Sequence, residues 1–101
     1  MRIDIQTPHF TADKSLLDFI KERVQKVSRY YDHITDVTVY LKLENAAKIK
    51  DKMVELKMAV PGDTLITSST DKSFEAAFDS ANDSMIRQIK RYKGKRSTKN
   101  S

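Results

Sequence analysis

Residues 36–69 read DVTVYLKLENAAKIKDKMVELKMAVPGDTLITSS, and this stretch decides the fold. From Asp36 to Glu44 apolar and polar residues alternate: Val37, Val39, Leu41 and Leu43 point one way, and Thr38, Tyr40, Lys42 and Glu44 the other. Alternation with period two marks a strand buried on one face only. Lys52 to Val60 repeats the pattern with Val54, Leu56, Met58 and Val60, so the two strands form a hairpin around a turn at residues 45–51. Pro61-Gly62 follows where a turn needs a fixed φ and then a positive one. Asp63 to Ser69 continues as a weaker, Thr/Ser-rich strand whose loose pattern fits a sheet edge.

Outward from this block the period changes. On the N-terminal side, Arg2 to Gln6 alternates around Ile3 and Ile5 until Pro8 stops it, giving a first strand. From Ser15 to Tyr31 the residues Leu16, Leu17, Ile20, Val24, Val27 and Tyr31 recur at three-and-four spacing, and Thr11 or Asp13 caps the helix they imply. On the C-terminal side, Asp71 or Ser73 caps a second helix with the stripe Phe74, Ala77, Phe78, Ala81, Met85, Ile89 and Tyr92. After Gly94 the residues KRSTKNS have nothing to pack, which predicts a disordered basic tail over 95–101 behind a domain of 1–94.

The order β-α-β-β-β-α predicts an α+β two-layer sandwich with both helices on one face of a four-stranded sheet. A right-handed crossover makes strand one parallel to strand two, and the hairpins give the order 1-2-3-4. The expected core is Ile3, Ile5, Leu16, Ile20, Val24, Val27, Val37, Val39, Leu41, Val54, Leu56, Met58, Phe74, Phe78, Ala81, Met85 and Ile89.

Composition narrows the function. The 101 residues give room for one domain, and with no Cys its stability rests on burial, without disulfides, thiolate–metal bonds or a Cys nucleophile. No apolar run approaches the ~18 residues of a membrane span, and MRIDIQ leads into charge rather than a signal-peptide core, so a cytoplasmic protein is expected. His9 and His33 are isolated in predicted loops. With Gly62 and Gly94 the sole glycines, no glycine-rich phosphate loop can form. Neither catalysis nor a cofactor nor a small-molecule substrate is expected.

The net charge of +5 is unevenly spread: residues 1–83 hold 12 Lys/Arg and all 14 Asp/Glu, whereas 84–101 hold 7 Lys/Arg and no acid. Such a block suits a polyanion, although a merely solvated tail would also explain it. With Phe74 at zero on a helical wheel, Glu75, Asp79 and Asp83 fall between about +100° and 180°, and Ser80, Ser84, Arg87 and Arg91 between about −80° and −140°. One flank is acidic and the other basic, and Arg87 and Arg91, four apart in the stretch that follows the last acid, suit phosphate. On the first helix Arg23 falls beside the apolar stripe and Lys26 just beyond, so the Arg23 guanidinium must snorkel along the edge of the core; Arg29 lies farther round. Arg87, Arg91, Arg23 and Lys26 are expected to form one footprint, the simpler alternative being that Arg23 pairs with a nearby acid.

Three segments, VQKVSRYYDHI (24–34), STDKSFEAAFDSANDSM (69–85) and IRQIKRYKGK (86–95), taken in order, resemble the ribosome hibernation-promoting factors and ribosome-associated inhibitors of bacteria, also known as sigma-54 modulation proteins. The resemblance implies a fold similar to double-stranded RNA-binding domains, docking on the small ribosomal subunit in the mRNA and tRNA channel, and steric inactivation of translation in stationary or stressed cells. It implies contacts to ribosomal RNA from Arg23, Lys26, Arg29, Arg87, Lys90, Arg91 and Lys95, a monomer off the ribosome, and no membrane partner. Ser84 stands where the pattern usually has a Lys, weakening one expected phosphate contact, and the chain looks like the short form, without the domain that pairs ribosomes. Two other readings are a general duplex-RNA binder and a regulator that binds proteins through the open sheet face around Tyr40, Met53 and Ala59.

Overall fold

In the computed structural model, which describes residues 1–44 and 51–99 and the side chains of 1–44 and 51–95, six elements follow in the expected order. They are β1 (Arg2–Gln6), α1 (Lys14–Val27), β2 (Asp36–Leu43), β3 (Lys52–Val60), β4 (Asp63–Asp71) and α2 (Phe74–Lys99). The sheet order is β1-β2-β3-β4, with β1 parallel to β2 and the remaining pairs antiparallel. Registers such as Ile5↔Val39↔Leu56↔Thr67 keep the alternating sets of all four strands on common faces. Within the β2–β3 turn, residues 45–50 lie outside the described residues. Pro61 and Gly62 join β3 to β4, and Gly62 has φ 79°, as a Pro-Gly turn requires.

Local chemistry sets the helix starts. Asp13 is the cap of α1, its carboxylate accepting from the Leu16 N–H at 2.8 Å. Ser73 serves α2, its hydroxyl accepting from the Ala76 N–H at 3.1 Å, while Asp71 instead turns to the N–H of Lys72. The helix ends differ from expectation. α1 stops at Val27, four residues before Tyr31, because the chain tightens: Arg29 donates to the Lys26 carbonyl and Tyr30 to that of Val27. α2 runs past Gly94 to Lys99, so a tail does not begin at residue 95. A single helical Gly costs only about 1 kcal/mol against Ala, and the Lys and Arg around it are good helix formers, so nothing local stops the helix.

The core lies between the sheet and the helices. Ile20, Val24, Phe78, Met85 and Ile89 from the helices meet Val39, Leu41, Val54, Leu56 and Met58 from the sheet, all ten wholly buried. Ile3 and Ile5, expected in this core, are only half-buried, because β1 is an edge strand that one neighbour covers. Ile34, Val60, Leu65 and Ala77 join it instead. Leu43, at the far end of the β2 alternation, is exposed.

The β4 edge is blunted from above. α2 packs over β3 and β4, and Gln88 donates its side-chain N–H to the Ile66 carbonyl at 3.0 Å, occupying an edge acceptor that would otherwise invite another strand. Thr67 faces inward and donates to the Ala81 carbonyl at 2.9 Å, tying the edge strand to the middle of α2. Since β1, β2 and β4 are mutually parallel and each helix returns antiparallel to the strand it adjoins, α1 and α2 run the same way. Their contacts advance together: Phe10 just ahead of α1 stacks on Phe74, Phe19 meets Phe78 edge-on, and Tyr30 meets Lys90.

Candidate nucleic-acid interface

Running the same way, α1 ends beside the second half of α2, at Lys90 and Lys93, and this is where the cations collect. Lys26 and Arg29 stand at the exit of α1, and Arg87, Lys90, Arg91, Lys93 and Lys95 along the second half of α2, which carries no acid. A helix C-terminus carries partial negative charge, so Lys26 in the last turn of α1 is locally favourable there.

Arg23 lies in the groove between the helices, as its wheel position requires, and its guanidinium packs 4.3 Å from the centroid of the Phe19 ring. It is also ion-paired, Nη1 lying 2.8 Å from Oδ1 of Asp79 on α2. The acidic flank of α2 thus faces α1, which the separate wheels did not determine. Lys26 pairs with Glu22 at 3.4 Å. Both ion pairs are half in water, so each is worth roughly 0–1 kcal/mol and yields readily to a competing phosphate. A double-mutant cycle on Arg23→Ala and Asp79→Asn, read by urea unfolding, is expected to give a coupling of about 0.2–1 kcal/mol; a larger value would make the pair a structural clamp.

Arg87 and Arg91 sit round the outer side of α2. Arg87 donates to the Ser84 hydroxyl at 3.1 Å, which steadies its guanidinium on the outer side of the helix. Arg91 and Lys95 border a shallow concavity with Asp63, Leu65 and Gln88 at the β4 edge. The single footprint therefore needs correcting. Along the first half of α2, Asp79 and Asp83 lie on the helical wheel between the side facing Arg23 and the Arg87–Arg91 flank, and the positive surface closes up only past the end of α1. There Lys90 lies over the Tyr30 ring, 5.4 Å from its centroid, and Lys93 donates to the Tyr30 carbonyl. Among the described residues, none of Arg29, Arg87, Lys90, Arg91, Lys93 and Lys95 is ion-paired with a carboxylate.

Tyr30 and Lys93 were not singled out in the sequence as site residues. Lys93 falls near +100° on the α2 wheel, toward the acidic flank, and only the knowledge that this flank meets α1 would have placed it beside Tyr30. Tyr92, on the core side, donates its hydroxyl to the Pro61 carbonyl and packs edge-on against Tyr31, which fixes the height of this basic end above the sheet.

The family model described as sigma 54 modulation protein / S30EA ribosomal protein matches residues 3–97, nearly the whole chain. The chain belongs to that family. A Pseudomonas putida relative named ribosome hibernation promoting factor is 30% identical over 94% of this chain and 89% of its own length. An Azotobacter vinelandii relative with the same name is 27% identical, covering 94% of this chain and 85% of its own. Among solved structures, a ribosomal subunit interface protein from Coxiella burnetii superposes with a TM-score of 0.83 at 17% identity, covering 93% of this chain and 99% of that one. That likeness bears on the fold, and it supports the four-stranded α+β architecture of the family. No helix among the described residues is long and apolar enough to cross a membrane.

Proposed function

We propose that this protein is a ribosome hibernation factor: it binds the small ribosomal subunit in the mRNA and tRNA channel and inactivates translation in stationary or stressed cells by occupying that space. The observation that carries the reading is the gathering, where α1 ends beside the second half of α2, of cations that have no carboxylate partner among the described residues: Arg29, Arg87, Lys90, Arg91, Lys93 and Lys95. The names of the P. putida and A. vinelandii relatives make ribosomal RNA the polyanion to be expected there.

In this reading Arg29, Arg87, Lys90, Arg91 and Lys95 hold phosphates directly, while Arg23 and Lys26 exchange their carboxylate partners for phosphates on docking. Binding is reversible, by a cytoplasmic monomer, and needs no cofactor, small-molecule substrate or membrane. Because little of the affinity comes from base readout, position on the ribosome is set by the shape of the RNA channel and by where phosphates cluster within it.

The test is co-sedimentation of the protein with small subunits across a salt series, beside binding to a naked RNA duplex in the same buffers. Stronger retention on subunits than on duplex is expected at every salt concentration. Equal binding to both would favour a general duplex-RNA binder, and no retention on subunits at low salt would end the hibernation reading.

A further inference from the structure

Beside the phosphate-binding groups the same end of the molecule carries an aromatic ring left at the surface. Tyr30 is 42% exposed in the turn that leaves α1, although most large apolar side chains of this chain are buried. It does not pack into the core cluster, which takes its neighbour Tyr31 instead. Cations surround it: Lys90 lies over the ring, Lys93 binds its carbonyl, and Arg29 precedes it in the chain. Arg29, Tyr30, Tyr31, Asp32, His33 and Lys93 border one concavity.

We infer that Tyr30 is a stacking platform for one unpaired RNA base, with Arg29 and Lys93 holding the phosphates on either side of that nucleotide. The inference rests on the RNA-binding reading above and adds the class of ligand at one point of the surface: a nucleotide in a loop, bulge or single strand.

A base inside an A-form helix has both faces covered by its neighbours, so an aromatic side chain on a protein surface can stack only on a base that is already unpaired. Phosphate contacts alone do not distinguish paired from unpaired RNA, whereas an aromatic ring set among them does. Lys90 reaches the ring through a flexible four-carbon stem at 5.4 Å, loosely enough for its ammonium to move onto a phosphate as a base takes its place. The Asp32 carboxylate lies 3.5 Å from His33 Nε2 and repels a phosphate placed directly over it, which leaves the Arg29 and Lys93 sides for the backbone.

Three proteins test this, wild type, Tyr30→Ala and Tyr30→Phe, titrated against two RNAs with equal numbers of phosphates: a hairpin with an unpaired loop and a blunt duplex. Tyr30→Ala is expected to bind the hairpin about 5- to 150-fold more weakly, the span of one lost base stack, with the duplex affinity and the salt slope unchanged. Tyr30→Phe keeps the ring and should bind the hairpin within about twofold of wild type. A 2-aminopurine placed in the loop should be quenched by wild type and Tyr30→Phe but not by Tyr30→Ala. Equal losses on hairpin and duplex, or no loss on either, would overturn the stacking platform while leaving the hibernation reading in place. Failure of the wild type to bind either RNA or the ribosome would remove both. Thermal unfolding of Tyr30→Ala at the wild-type temperature serves as the control for folding.

Discussion

Ile20→Ala is expected to lower the free energy of unfolding by about 2–5 kcal/mol, a large share of the roughly 5–15 kcal/mol that holds a domain together. Ile20 is fully buried at the middle of α1, among residues of both helices and the sheet. The cost has two parts, the transfer free energy of the lost carbons and the cavity that its rigid neighbours cannot fill. α1 has little to spare, since its 14 residues form a helix too short to persist alone and held by this apolar stripe. Urea unfolding should show the midpoint falling with the slope unchanged, as for a loss of stability without a change in the surface exposed. The comparison is Ile66→Ala: Ile66 is 50% exposed on the sheet face away from the helices and should cost under about 0.5 kcal/mol. Equal effects at the two positions would mean that α1 is rotated about its axis from the orientation described.

What the sequence shows and what it hides divide along the range of the interaction. Alternation in β2 and β3 and the three-and-four stripes of both helices are local, and they place Val37, Val39, Leu56, Ile20 and Phe78 in the core without any knowledge of the partner elements. Pro61-Gly62 is equally legible, because the turn needs a positive φ that Gly62 alone supplies at no steric cost. Ile3 and Ile5 were overestimated since alternation shows which face a residue takes but not whether its strand has a second neighbour to cover it. Leu65 was missed for the converse reason: the Thr- and Ser-rich β4 has a weak pattern, yet α2 lies directly above it. Ile34 stands in a loop, where no periodicity signals burial.

The candidate interface divides the same way. The concentration of Arg and Lys after residue 84 and the absence of acids there are visible in the sequence, and so is the separation of acidic and basic flanks on α2. Which flank meets α1 depends on the packing of two elements distant in sequence, and that choice gives Arg23 its partner Asp79 and brings Lys93 to Tyr30. Wheels drawn for each helix alone therefore assign four cations to a continuous patch that two carboxylates interrupt. The two basic surfaces meet farther along, where the turn after α1 lies against Lys90 and Lys93 of α2.

Replacing Arg87 and Arg91 together by Ala is expected to weaken ribosome binding and to flatten the dependence of log K on log salt by about 1–2 units, with the fold intact. Both side chains are exposed, and neither is ion-paired with a carboxylate among the described residues, so their removal leaves no buried charge. Each phosphate neutralised by a protein cation releases counterions worth about 0.7–0.9 of slope, so two direct contacts account for the predicted change. Long-range attraction would act differently, lowering affinity for the loss of any cation wherever it sits on the surface. Lys42→Ala, on the sheet face opposite the helices, and Lys99→Ala, at the last residue of α2, separate the two cases. Lys42→Ala should leave the slope unchanged within error, and Lys99→Ala should do much less than the double replacement. A slope change for Lys42→Ala as large as for the arginines would mean that the whole charge of the domain, rather than the basic second half of α2 and the end of α1, holds it on RNA. If instead Lys99→Ala matched the double replacement, the contact surface would lie beyond Gly94, at the outer end of α2, and Arg87 and Arg91 would be solvated bystanders.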